Sequence, residues 1–171
     1  MKKNFMSGFY VFLAGAALLL CCAFPVSAQK TGIRKGKQAP DFSVKMTDGT
    51  ELMLSSLRGK PVLLHFWATW CPDCRKDVPA VKELYDKYGS KVEFIGVSFD
   101  VDHNRWTKYV VDNGMKWRQV SELKKMRDAE ISKAYGVEWI PSMTLIGPDG
   151  KVVLSTVVLE RMAKALADIA K

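Results

Sequence analysis

From Val62 to Trp67 the chain is apolar apart from His65, and shortly afterwards it reads Cys71-Pro72-Asp73-Cys74. A short run of this kind suits a strand buried on both faces. Behind the cysteines, Val78, Val81, Leu84, Tyr85 and Tyr88 recur at spacings of three and four, which predicts a helix over residues 75–88. Pro79 falls inside that pattern and is expected to kink it. A buried strand that feeds a helix directly commits the chain to layers of helix on sheet. Reactive groups in such sheets gather at the carboxyl ends of the strands, where this cysteine pair lies.

The remaining segments fit the same layering. Phe42 to Met46 alternates apolar and polar residues, Asp48-Gly49 is a turn signal, and Leu52 and Leu54 resume the alternation, so a small hairpin is predicted. Gly59-Lys60-Pro61 punctuates the chain before the first buried run. Val92 to Phe99 reads as a second buried strand, Asn104 to Asn113 as a helix stopped at Gly114, and Ala129 to Tyr135 as a short helix stopped at Gly136. Met143 to Ile146 and Val152 to Ser155 read as strands joined through Pro148-Asp149-Gly150, and Leu159 to Ile169 as a closing amphipathic helix. The expected class is α/β: a central mixed sheet flanked by helices, with an added N-terminal hairpin. Residues 29–38, basic and without periodicity, read as a flexible lead-in.

The first 28 residues stand apart. Lys2 and Lys3 precede an unbroken stretch of apolar residues and glycine from Phe9 to Phe24, and Val26-Ser27-Ala28 places small side chains before Gln29. This is the pattern of a secretory signal peptide cleaved after Ala28. The stretch also approaches the roughly 20 residues that span a bilayer, so an uncleaved anchor is the alternative. A lipoprotein signal at Cys21 or Cys22 would want a small residue before the cysteine, and Leu20 and Cys21 fit poorly. The chain then divides into residues 1–28, a signal segment, and residues 29–171, one domain, and its place is periplasmic or otherwise extracytoplasmic.

Without that segment the four cysteines become two, both in the one Cys-x-x-Cys. An exported scaffold held by disulfides shows several spaced cysteines. A loop this short adds little stability when closed, so the pair is better explained by chemistry. The net charge of +8 falls to +6 once Lys2 and Lys3 leave, with one denser stretch at Lys124, Lys125 and Arg127. It reads as a solvated basic face, and no motif supports nucleic-acid binding.

With a strand leading in and a helix leading out, Cys71 should sit at the helix amino terminus. The free N–H groups and the dipole there favour a thiolate and make Cys71 a nucleophile near neutral pH. Cys74, one turn further in, should be less exposed and placed to attack a mixed disulfide.

The segments Gly36-Lys37-Gln38-Ala39-Pro40-Asp41-Phe42, Leu57 to Leu64, Phe66-Trp67-Ala68-Thr69-Trp70-Cys71, Val97-Ser98, Tyr135-Gly136-Val137, Ile140-Pro141-Ser142 and Asp149-Gly150-Lys151 together resemble the thioredoxin superfamily, and within it the exported TlpA/ResA-like thiol–disulfide oxidoreductases. The resemblance covers nearly all of residues 36–171. It implies a thioredoxin-like fold, Cys71 as attacking thiol, Cys74 as resolving thiol, Pro141 as a cis-proline packed against them, and Pro79 as the helix-kinking proline. Backbone beside Pro141, at Ile140, would pair with an extended substrate segment. Trp70, Pro72 and Asp73 would share that substrate surface, Trp67 would lie in the core beneath, and Trp139 would either join the surface or pack inside.

The sequence departs from the family pattern in places. His65 stands where thioredoxins carry an acidic residue and the branch more often asparagine. It either relays a proton to or from Cys74 or is a core imidazole satisfied by backbone hydrogen bonds. Asp73 replaces the usual second residue of the intervening pair, and its charge opposes a thiolate. Asp77 matches an acidic position of the branch and would either deprotonate Cys74 or, as a first-turn carboxylate, complement the helix dipole. No glycine follows the last strand at Ser155-Thr156-Val157.

Protein thiols and disulfides are the implied substrates, with reduction the commoner direction in the branch, including the reduction of apocytochrome thiols, and a membrane thiol electron donor implied in turn. A dithiol oxidant of the DsbA kind is the alternative. A peroxiredoxin would want Thr-x-x-Cys where the chain has Thr69-Trp70-Cys71. A copper-binding chaperone would use Cys71 and Cys74, but no second pair supplies further ligands, so no metal and no cofactor is assigned. Arg75 after Cys74 excludes haem attachment, and Arg105 and Val111 break the calcium-loop pattern that begins at Asp100.

Overall fold

The computed structural model describes residues 32–171. The signal segment assigned to residues 1–28 lies outside the described residues. No helix among the described residues is long and apolar enough to cross a membrane.

The alternating segment pairs as β1 (Ser43–Lys45) with β2 (Glu51–Met53), antiparallel, and Leu54–Leu57 follows as a 3-10 turn. The fully buried run becomes β3 (Val62–Trp67), followed by α1 (Pro72–Tyr88) and β4 (Glu93–Ser98). Then come α2 (His103–Asp112), β5 (Arg118–Ser121), α3 (Glu130–Tyr135), β6 (Ser142–Ile146), β7 (Val152–Thr156) and α4 (Leu159–Ile169). The five-stranded sheet has the order β5-β4-β3-β6-β7. Its β3, β4 and β5 are parallel, because helices carry the chain back between them, and the β6–β7 hairpin is antiparallel. Gly136 stops α3 at φ 61°, a left-handed cap that glycine adopts without steric cost.

Two layers cover the sheet. On one face the Tyr85 ring of α1 meets Phe94 edge-on at 5.5 Å. Phe94 is the register partner of Leu63, so α1 covers the face that carries Leu63, His65 and Trp67. On the other face Phe66 stacks with Phe99 at 6.2 Å and packs against Tyr135 of α3 at 5.6 Å. These residues belong to one continuous core with Leu63, Leu64, Val81, Ile95 and Leu166, all fully buried.

The structure differs from the sequence reading in three places. Residues 32–39 are tied down rather than flexible: Gly36 N–H donates to the Val152 carbonyl at 2.7 Å, Val152 N–H to Lys37 at 2.8 Å, and Ala39 N–H to Gly150 at 2.9 Å. β7 is an edge strand whose backbone groups need partners, and the lead-in supplies them. The strand β5 was not legible in Arg118-Gln119-Val120-Ser121, which is too short and polar to carry a period. It is held by β4 on one side and by a bridge from Val120 to Met46 of the hairpin segment on the other. The helix behind the cysteines begins at Pro72, earlier than its apolar spacing shows, and runs on through Pro79.

Candidate active site

The loop between β3 and α1 delivers Cys71, and the first turn of α1 delivers Cys74. Cys71 is the N-cap of α1 with extended backbone, and Pro72 occupies the first turn, where its missing N–H costs nothing. The two cysteines form a disulfide. Cys71 is 5% exposed and Cys74 fully buried. The backbone N–H of Cys74 points at Cys71 Sγ at 3.2 Å. In the dithiol state the same N–H and the helix terminus face any charge that forms on Cys71.

The opposite wall is the turn before β6. The Ile140–Pro141 bond is cis, and the Ile140 carbonyl oxygen lies 3.7 Å from Cys71 Sγ. The indoles divide as their positions require: Trp67 is buried, whereas Trp70 is 49% and Trp139 60% exposed. Trp139, Ile140 and Pro141 face Asp73 and Asp77 across an open groove of about 440 Å³ beside the disulfide. Pro72, Asp73 and Trp70 are all exposed around the cysteines, and Ile140 is half-buried.

Because α1 starts at Pro72, Asp73 is the first-turn carboxylate and Asp77 lies in the second turn. The reading of Asp77 as a first-turn complement to the dipole is therefore corrected. Asp73 is held by Lys76 at 3.0 Å on the surface. Burial, then the like charges of Asp73 and Glu160, raise the Asp77 carboxyl above its ordinary value.

His65 lies on the α1-covered face, fully buried, and neither ring nitrogen has a hydrogen-bond partner among the described residues. An imidazole satisfied by backbone hydrogen bonds is thus not what this position holds. Burial lowers its pKa from 6.5 to about 4, so the ring is neutral at neutral pH. One register row runs from Gln119 through Gly96 to His65 and Met143. The Gln119 carboxamide accepts from Trp67 Nε1 at 3.1 Å, and its own nitrogen is buried without a partner among the described residues.

Sequence reasoning missed the support of the active-site loop. Asp100, 2% exposed, accepts from Thr69 N–H at 2.9 Å, Thr69 Oγ1 at 2.6 Å and Ser98 Oγ at 2.8 Å. It thereby anchors the segment two residues before Cys71. The available signal was its place at the end of the Val92–Phe99 run, next to the carboxyl end of β3. Among the described residues no three His, Cys, Asp or Glu side chains converge as metal ligands.

Comparison with known proteins agrees with this geometry. Residues 34–169 match the family described as Redoxin. The thiol–disulfide oxidoreductase ResA of Bacillus thuringiensis subsp. konkukian is 34% identical over 160 residues, covering 90% of this chain and 88% of that protein. ResA of Bacillus subtilis is 36% identical over 147 residues, covering 81% of this chain and 79% of its own. Among solved structures, a thiol–disulfide oxidoreductase from Bacteroides fragilis superposes with a TM-score of 0.72 at 27% identity, covering 77% of this chain and 98% of that one. With the family match spanning nearly the whole described domain and the disulfide at the head of α1, the chain belongs to the redoxin family, as a ResA-like thiol–disulfide oxidoreductase of the thioredoxin superfamily.

Proposed function

We propose that the chain is an exported reductant of protein disulfides, with Cys71 as the attacking thiol and Cys74 as the resolving thiol. The observation that carries the reading is the asymmetry of the pair: Cys71 caps α1 with a backbone N–H at its sulfur, while Cys74 is sealed from solvent. A substrate disulfide can reach the first sulfur alone. The Cys71 thiolate attacks one substrate sulfur and the other leaves as a thiolate. Cys74 then displaces the bound sulfur, and two electrons have passed to the substrate as the Cys71–Cys74 bond forms. Ile140 and Pro141 border Cys71 and would align an extended segment, with Trp70, Pro72 and Asp73 completing the surface.

The Cys74 proton needs an acceptor in a closed environment. Neutral His65, buried on the α1-covered face of the strand that leads to the pair and unpartnered among the described residues, and Asp77 with its raised carboxyl are the two candidates. The reductive direction draws support from charge. Asp73 and Asp77 stand beside the pair, and Lys76 is engaged by Asp73. Carboxylates oppose a thiolate, and a less stabilised dithiol form makes a more reducing couple. Export is supported by the pattern of residues 1–28, and a reductant outside the cytoplasm requires a membrane thiol donor to recharge it.

Equilibration of the mature domain with dithiothreitol or glutathione tests the direction. A potential near about −270 mV or lower is expected, and one near about −120 mV would make the chain an oxidant. Cys74→Ser should accumulate a mixed disulfide on Cys71, and its absence in Cys71→Ser would identify the attacking thiol.

A further inference from the structure

We infer that the groove beside the Cys71–Cys74 pair receives a lysine or arginine side chain that flanks the reactive cysteine of the substrate polypeptide. This rests on the proposed exchange with protein substrates and names a feature of those substrates.

The groove combines two surfaces. Trp139, Ile140 and Val157 make an apolar wall, in which the indole is 60% and Val157 42% exposed. Facing it are Asp73, Lys76 and Asp77, with Glu160 of α4 close enough to act on Asp77. Among the described residues the cation of that wall is Lys76, which bonds to Asp73 at 3.0 Å and acts on Asp77 only by its charge. Asp77 has neither an ion pair nor a hydrogen bond among the described residues, although it is only half-exposed. The chain as a whole carries +8, so this acidic spot runs against the sign of the molecule.

Each class of occupant meets these surfaces differently. An acidic side chain would be repelled by Asp73, Asp77 and Glu160. A purely apolar one would cover the indole but strip water from Asp77 without pairing it. Lysine and arginine satisfy both walls, since their methylene stems lie along apolar surface while the charged head reaches a carboxylate. A cation over an exposed indole gains further from the ring quadrupole. Because the groove adjoins Cys71, such a side chain would belong to a residue next to the substrate cysteine.

The test uses the reduced full domain and symmetric disulfides of short single-cysteine peptides that differ only beside the cysteine, as lysine, norleucine or glutamate. Rates are read by tryptophan fluorescence and normalised to those of the same peptides with glutathione, which removes intrinsic differences in cysteine reactivity. The lysine peptide should react about tenfold faster than the norleucine peptide, with glutamate slowest. The lysine-to-norleucine ratio should fall to about two or less in Asp77→Asn, be kept in Asp77→Glu, and drop about threefold in Trp139→Ala. A ratio near one in the unmodified protein, or a ratio that survives Asp77→Asn, overturns the inference while leaving the oxidoreductase reading intact. No reaction with any peptide overturns both.

Discussion

His65 shows how one residue can be read correctly in place and still carry a consequence that only the fold reveals. The sequence puts a histidine in a buried strand, and the structure leaves both its nitrogens without partners among the described residues. The protonated ring is therefore disfavoured in the folded state, with a pKa of about 4 against 6.5 unfolded. Between these values the unfolded chain binds the proton and the folded chain does not. Stability then rises with pH from 4 to 6.5 and is lost as pH falls through that window, by about 3 kcal/mol in all. Denaturant midpoints measured across the window should show this slope, and His65→Asn should remove it while the carboxylate contributions persist. Equal slopes in the two proteins would mean that the imidazole is not sealed from water. The cysteines, by contrast, were fully legible, because a capped helix start after a buried run leaves them few other positions.

At the scale of elements, what the sequence hid is what depends on pairing across the sheet. β5 carries no period of its own, yet it places Gln119 over Gly96 of β4 in the row that continues to His65. A Cβ added at Gly96 would run into the Gln119 carboxamide, which explains a glycine in the middle of a buried strand. Gly96→Ala is expected to cost about 1–3 kcal/mol in chemical denaturation. In a Gln119→Ala background the cost should shrink, with a coupling of about 0.5 kcal/mol or more. Strictly additive losses would show that the two sites do not touch. The Asp100 anchor was harder to read for the same reason: its place at the end of the Val92–Phe99 run marks it, but its partner Thr69 lies on a different loop. Asp100→Ala removes the acceptor for two Thr69 donors and for Ser98 Oγ, so a loss on the order of 3 kcal/mol is expected, with a smaller loss in Asp100→Asn. Helices and long strands were legible because their apolar spacing repeats, whereas single buried polar contacts leave no period to read.

At the scale of the molecule, the direction of electron flow and the stability of the fold are one quantity seen twice. The buried residues of the domain form a single cluster that contains Cys71 and Cys74 themselves, so opening the disulfide acts on a unit expected to unfold cooperatively. Oxidation and folding close a thermodynamic cycle. If the fold makes the Cys71–Cys74 bond harder to reduce than it is in the unfolded chain, the bond must stabilise the fold by the same free energy. A reductant therefore melts higher when oxidised. An oxidant of the DsbA kind melts higher when reduced, because its dithiol form is the stabilised one. Each ~30 mV of displacement corresponds to about 1.4 kcal/mol, or about 5 °C in Tm for a domain of this size. Two calorimetric scans of the domain spanning residues 29–171, with and without excess dithiothreitol, read the sign directly. The carboxylates Asp73 and Asp77 beside the pair favour the disulfide over the thiolate, so the oxidised protein should be the more stable. A reduced form that melts higher would reverse the assignment of direction without disturbing the roles of the two cysteines.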